Sequence, residues 1–248
     1  MSPLIAEFIG TAMLILFGNG VVANVLLSKT NGKDAGWLAI SAGWGIAVFI
    51  GAFCANDFSG AHLNPAVTIA MLVAGKIGIS AAIGYVFAQL FGAMLGAVLV
   101  YLFYFQHFRM SDNANVKLAC FSTAPVVRSF PQAAFCEMIG TFALILPIFL
   151  MVTPSLIQGK EPVDTDPILG LGSLGYLPVA ILVLGIGLSL GGTTGYAINP
   201  ARDLGPRIVH ACLPIPGKRD SDWSYAWVPV VAPIVGGVIA AIVFKLLR

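Results

Sequence analysis

The hydrophobic pattern of this chain is neither alternating nor one-sided. It consists of long continuous runs. Residues 8–28, 35–56, 77–106, 138–159, 167–201 and 223–244 carry no charge. Each meets or exceeds the roughly 20 residues that an α-helix needs to cross about 30 Å of hydrocarbon. A further run, 58–75, is shorter and contains His62 and Pro65. It suits a segment that enters a membrane and turns back. The pattern predicts six spanning helices. The run after Met1-Ser2-Pro3 lacks a basic flank and is as long as a span, so it is read as a helix and not a secretory signal.

The two halves of the pattern also match in sequence. "AEFIGTAMLILF" (6–17) aligns with "CEMIGTFALILP" (136–147), and "GAHLNPAVTIA" (60–70) with "GYAINPARDLG" (195–205). Each half therefore holds three spans and one Asn-Pro-Ala box. Three crossings per half invert the second half relative to the first. Inverted repeats of this kind place solute sites near the midplane, where the repeats meet.

The boxes have a local physical meaning. Asparagine is a good helix N-cap, and proline suits the first helical position, where its missing N–H is not needed. Asn64-Pro65-Ala66 and Asn199-Pro200-Ala201 each predict the start of a helix too short to span, ending near Gly75 and Ala211. One box alone would read as a loop breaker. Two at matched places in a repeat read as paired half-helices. Irregular backbone at membrane depth survives only inside protein or along a watery cavity. The carbonyls of Gly60, Ala61, His62 and Leu63, and of Gly195, Tyr196, Ala197 and Ile198, are therefore expected to line a pore. The two helix dipoles converge at its centre and repel cations, including hydronium.

Composition agrees with a membrane protein. The chain is 58% hydrophobic and 10% charged, against about a quarter charged in soluble domains. The net charge of +2 is too small to imply a nucleic-acid partner. The four cysteines form no C-x-x-C and no metal spacing with the histidines, so no metal or cofactor is expected. The pairing of Cys120 with Cys212 is left open, and Cys54 and Cys136 read as small packing residues. Asp57, Ser59 and His62 are the nearest approach to a hydrolytic triad. Nothing organises them or supplies an oxyanion site, so an enzyme is not expected.

On these residues the chain resembles the major intrinsic protein family, the aquaporins and glycerol facilitators. The resemblance covers essentially the whole chain. It implies an all-α membrane protein of six transmembrane helices and two re-entrant half-helices. Residues 1–248 would form one channel domain, with inverted repeats at about 1–106 and 131–248. It further implies a homotetramer in the cell membrane, with a pore in each subunit. "NPARDLGPR", with Asp203 and Arg207, resembles the glycerol-facilitator branch, as does Pro229. The family's selectivity filter maps onto Trp44, Gly187, Tyr196 and Arg202. Gly187 would leave room for a solute wider than water. Tyr196 is a departure, since the best-known glycerol facilitator has phenylalanine there.

The implied function is passive passage of small uncharged solutes. Glycerol and water come first, and urea, dihydroxyacetone and undissociated lactic acid are unranked. A water-selective channel and a gradient-driven transporter are the alternatives. The buried carboxylates Glu7 and Glu137 begin matched spans and are expected to hold the box loops, with Gln89 assisting. Asp203 is expected to hold loop backbone or an arginine. Arg207 is expected near the outer vestibule, and the His62 ring at a vestibule wall. Gly10, Gly18, Gly20, Gly84, Gly92, Gly96, Gly140 and Gly192 read as close-packing sites. Trp223, Tyr225 and Trp227 read as an interfacial anchor. The family topology puts Lys76, Lys160, Lys245 and Arg248 on the cytoplasmic side. It puts Lys29, Lys33, Arg109, Lys117, Arg128, Lys218 and Arg219 outside, against the positive-inside tendency.

Overall fold

Apolar side chains suited to hydrocarbon, and caps at the ends, make these runs helices. The computed structural model describes residues 1–152 and 171–248. Helix α1 (Pro3–Leu26) starts at Ser2, whose hydroxyl accepts from the Ile5 N–H, with Pro3 in the first turn. Next come α2 (Gly36–Ser59), the half-helix α3 (Pro65–Val73) and α4 (Ile79–Phe103). Two short helices, α5 (Phe105–Met110) and α6 (Ala114–Ala119), cross between the halves. The second half contains α7 (Phe130–Leu150), α8 (Leu177–Leu190) after a 3-10 turn at Gly172–Tyr176, the half-helix α9 (Pro200–Cys212) and α10 (Val228–Leu246).

Helices α1, α2, α4, α7, α10 and α8 with its leading turn are long and apolar enough to span. The half-helices have 9 and 13 residues. At 1.5 Å per residue they reach only about 14 and 20 Å. Both termini lie on one face of the bundle, here the terminal face. The 27–35, 104–129 and 213–227 connections lie on the other, the loop face.

Glu7 and Glu137 lie inside α1 and α7 and not at their starts. Both helices extend upstream of the uncharged runs because each carboxylate is buried and hydrogen-bonded, so it need not mark a boundary. Residues 153–159 and 167–170 of the predicted spans, and Lys160, lie outside the described residues.

The halves are interleaved. Within the first, α1 packs on α2 and α4; within the second, α7 packs on α10 and, less extensively, α8. Each half-helix, however, packs chiefly on the other half: α3 on α10, and α9 on α4. Glycines permit these approaches. A Cβ at Gly237 would fall 2.9 Å from the Ala66 carbonyl, and one at Gly205 3.0 Å from that of Leu90. Gly92 meets the Phe8 carbonyl on α1 in the same way. Among the described residues nothing lies within 4 Å of a Cβ placed at Gly20 or Gly192, so neither shows the close packing expected of it. Ile46, Ile83, Phe87, Phe91 and Ile242 stand exposed on the outer faces of the bundle, as lipid-facing residues would.

Two further expectations change. Trp223 and Trp227 are half exposed, but Tyr225 is fully buried against Ala133 and Val228 and is a packing residue, not an anchor. Cys120 and Cys212 are free thiols; Cys120 is buried and its Sγ lies 3.2 Å from the Val116 carbonyl.

The loop-face cations have structural uses. Lys218 Nζ donates to the carbonyls of His210, Ala211 and Leu213, closing the C-terminal end of α9. Lys33 donates to the Leu26 carbonyl at the end of α1, and Lys117 to that of Pro216. Arg128 forms two hydrogen bonds with Asp222, at 2.6 and 2.5 Å. Much of the positive charge on this face is thus committed to loop carbonyls and one carboxylate.

Candidate functional site

The segments before the two boxes are strained in the same way. Ala61 and Leu63 have φ of 49° and 51°, and Tyr196 and Ile198 have 38° and 42°. Each segment opens on a glycine at positive φ, Gly60 at 79° and Gly195 at 81°. A non-glycine residue held there costs about 1–3 kcal/mol, and persists only where its surroundings fix it.

Glu7 and Glu137 do the fixing. One Glu7 oxygen accepts from Ser59 Oγ at 2.6 Å and the His62 N–H at 2.9 Å. The other accepts from the Leu63 N–H and from Gln89 Nε2, both at 2.7 Å. Glu137 accepts from the Ala197 N–H at 2.9 Å and the Ile198 N–H at 2.8 Å. Charge-assisted bonds of this kind are roughly twice as strong as neutral ones. Gln89 also donates to Thr68 Oγ1, which lies 3.1 Å from His62 Nδ1. The His62 ring therefore sits against Thr68 and Tyr85 as well as along the cavity wall. Ser59 and His62 are engaged by Glu7 and Thr68, and not by each other.

The asparagines cap and cross. Asn64 Oδ1 accepts from the Ala66 N–H at 2.9 Å, and Asn199 Oδ1 from those of Ala201 and Arg202 at 3.0 and 3.2 Å. Asn64 Nδ2 then donates to the Ile198 carbonyl, and Asn199 Nδ2 to the Leu63 carbonyl, both at 2.9 Å. Of the eight carbonyls expected to serve solute, those of Leu63 and Ile198 instead hold the opposite box. Among the described residues, no protein donor meets the other six, on Gly60, Ala61, His62, Gly195, Tyr196 and Ala197. Each asparagine amide has a second N–H beyond the one donated to the opposite box.

Two cavities meet at these loops. The one toward the terminal face has a volume of about 260 Å³ and runs along Gly60–Asn64 and Tyr196–Asn199. The other, about 500 Å³, opens to the loop face. Trp44, Tyr196 and Arg202 are the three residues that line both. They form the partition between the cavities, where the filter is expected. The Arg202 guanidinium lies 4.0 Å from the centre of the Trp44 ring. One N–H reaches the Phe121 carbonyl at 3.5 Å, and Asn19 Nδ2 reaches the same oxygen.

Gly187 borders neither cavity. A Cβ there would fall 2.9 Å from Tyr196 Cζ and its hydroxyl, and 3.0 Å from Ser41 Cβ. The space that glycine leaves is taken by the end of the Tyr196 ring. This corrects the expectation that it opens room for solute directly.

Asp203 and Arg207 are fully buried on α9, just past Arg202. Asp203 Oδ2 accepts from the Thr123 N–H and Oγ1, each at 2.7 Å. Its other oxygen takes Arg207, which also donates to the carbonyls of Thr123, Ser221 and Asp222. Arg207 is thus a buried strut and not a vestibule residue, because its guanidinium is consumed by these carbonyls. At the loop-face mouth, the hydrogen bonds from Arg128 hold the Asp222 carboxyl below the usual carboxylate range.

Trp37, Asn19, Phe121 and Thr123 were not anticipated. Trp37 alone left a trace, since it lies seven residues before Trp44 on α2 and shares its face.

Among the described residues, six spanning helices, two half-helices meeting end to end and two cavities divided by one constriction define a multi-pass membrane channel. The sequence profile described as "Major intrinsic protein" matches residues 1–244, and the chain belongs to that family. A Thermotoga maritima protein described as "Probable glycerol uptake facilitator protein" is 48% identical over 245 residues, covering 99% of each chain. A Streptococcus pneumoniae "Glycerol uptake facilitator protein" is 48% identical over 246 residues, also covering 99% of each. The solved structure titled "X-ray structure of the aquaglyceroporin from Plasmodium falciparum" matches with a TM-score of 0.80 at 33% identity, covering 98% of this chain and 94% of that one.

Proposed function

We propose that this chain is a passive channel for glycerol and related small neutral polyols, that water permeates it too, and that it does no chemistry on its solutes. The constriction carries this reading. A polyol has a hydroxyl edge and a C–H edge. Trp44 and Tyr196 offer an aromatic corner to the second. Arg202 donors, the asparagine N–H groups and six open carbonyls serve the first. Water has no apolar edge and gains nothing from the aromatic corner. The glycerol uptake facilitators among its relatives point the same way.

A gradient-driven transporter needs an ionisable group free to load and unload. Glu7 accepts four hydrogen bonds and Glu137 at least two, and in each case two of them come from the backbone N–H groups of a box loop. That use favours the passive reading. The channel assembles as a homotetramer in the cell membrane, through apolar outer faces of the helices.

Stopped-flow light scattering on proteoliposomes tests the function. Glycerol should enter without any ion gradient, in linear proportion to its concentration. Urea, dihydroxyacetone and undissociated lactic acid can be ranked in the same assay. Water flux with no glycerol flux would replace the reading with a water-selective channel, and saturable, pH-coupled uptake with a transporter.

A further inference from the structure

The Tyr196 ring forms one wall of the constriction, yet its hydroxyl is turned away from the solute path. That hydroxyl is buried beside the Ser41 hydroxyl, and among the described residues no other polar group partners either of them. Both project into a slot between α2 and α8, where a Cβ on Gly187 would touch the Tyr196 hydroxyl and Ser41 at once. Gly191 forms the rest of the slot floor, since a Cβ there would lie 2.4 Å from Tyr196 Cδ1 and 2.8 Å from Trp37 Cζ2. The ring is therefore sunk edge-on into a groove made of glycine.

Trp37 closes that groove. Its indole N–H donates to the Gly187 carbonyl at 2.8 Å, joining α2 to α8. Its ring meets that of Tyr196 edge to face, with centroids 5.7 Å apart and planes at 78°, a favourable aromatic arrangement. Trp37 borders the loop-face cavity but not the cavity toward the terminal face. It is thus outside the constriction and directly above one of its walls.

We infer that Trp37 is a positioning residue for the filter: it locks Tyr196 in the Gly187–Gly191 groove and so sets the width of solute that passes. This inference rests on the polyol-channel reading and assigns size selection within it. With Trp37 removed, the Tyr196 ring gains space on the loop-face side and can tilt out of the constriction. The bore then widens without any change in Trp44 or Arg202.

The test compares xylitol with glycerol in proteoliposomes, as a permeability ratio for each variant. The ratio is insensitive to how much protein is inserted. Trp37→Phe keeps a ring against Tyr196 but removes the donor to Gly187, and should raise the xylitol-to-glycerol ratio about 3-fold, on the scale of one lost hydrogen bond. Trp37→Ala removes both contacts and should raise it about 10-fold. If the alanine variant does not fold, the phenylalanine variant alone decides. A residue that merely packs would lower thermal stability and leave the ratio unchanged, and that result overturns the inference while wild-type glycerol flux still supports the channel reading. Absence of glycerol flux in the wild type overturns both.

Discussion

Arg207 lies fully buried against Asp203, with Nη2 2.7 Å from Oδ1 and one helical turn between the two residues on α9. Neither side chain lines either cavity, yet both lie within five residues of Arg202, which lines both. Their partners on Thr123, Ser221 and Asp222 tie the half-helix to two loop-face connections. Removing one partner leaves a buried charge, which costs about 3–5 kcal/mol, whereas replacing both by apolar groups costs less. Arg207→Met should therefore lower the thermal midpoint of the purified channel more than the double variant Asp203→Leu, Arg207→Met does. A double variant at least as unstable as the single would contradict this account.

The two loop-holding carboxylates are unequal. Glu7 takes four donors, including a hydroxyl and an amide, while Glu137 takes two backbone N–H groups and the Thr194 side chain. A glutamine has one accepting oxygen and turns two donors toward groups that also donate. Glu7→Gln should cut glycerol permeability per folded channel by about 10-fold or more, the scale of a charge-assisted bond. Glu137→Gln should cut it less. Equal permeability in both variants and wild type, measured at matched protein density, would show that the strained loops hold themselves.

Gly187 has a sharper consequence than open space. Any side chain there meets the Tyr196 ring at 2.9 Å before it meets solute. Overpacking of this kind costs about 1–3 kcal/mol, and the ring is the movable partner. Gly187→Ala should push Tyr196 into the bore and reduce glycerol flux at least about 5-fold, with water flux reduced less. Gly187→His should be more severe in the same direction. Parallel loss of both fluxes would place the effect in folding and not in bore width.

The Arg128–Asp222 pair gives a dependence on acid. Its hydrogen bonds lower the folded pKa of Asp222 below the unfolded value. The stabilisation is therefore fully present above the ordinary aspartate pKa of about 3.9. It is lost as pH falls through the still lower folded value. Arg128 is half exposed, so the contribution is modest. Thermal midpoints of wild type and Asp222→Asn should differ at pH 7 and converge as pH falls below about 4. A gap that stays constant into acid would remove the ion pair as its cause.

Much of this architecture was readable from residue types because the physics is local. Asn-Pro starts a helix wherever it sits, and a carboxylate in an apolar run must find donors. Asn64, Asn199, Glu7 and Glu137 followed from those two rules. Features that join distant segments were not readable. Gly187 says that space is needed but not that Tyr196 fills it. The Leu63 and Ile198 carbonyls looked like pore ladder until the opposite asparagines were seen to occupy them. Trp223, Tyr225 and Trp227 looked alike in sequence, but only burial against Ala133 and Val228 separates Tyr225 from its neighbours. Nor does sequence reveal that Lys218, Lys33 and Lys117 are spent on helix ends and loop carbonyls.

The crossed packing of the half-helices also constrains biosynthesis. Helix α3 finds its main neighbour in α10, the last helix of the chain, and Asn64 finds its acceptor in Ile198. At about 5–20 residues per second, the ribosome needs on the order of ten seconds or more to make the segment between them. During that interval the first half-helix is a short, polar-ended intruder with no permanent seat. Insertion of this channel therefore has an unavoidable waiting stage, and a nascent chain truncated before α10 should present its first re-entrant loop to chaperones and proteases.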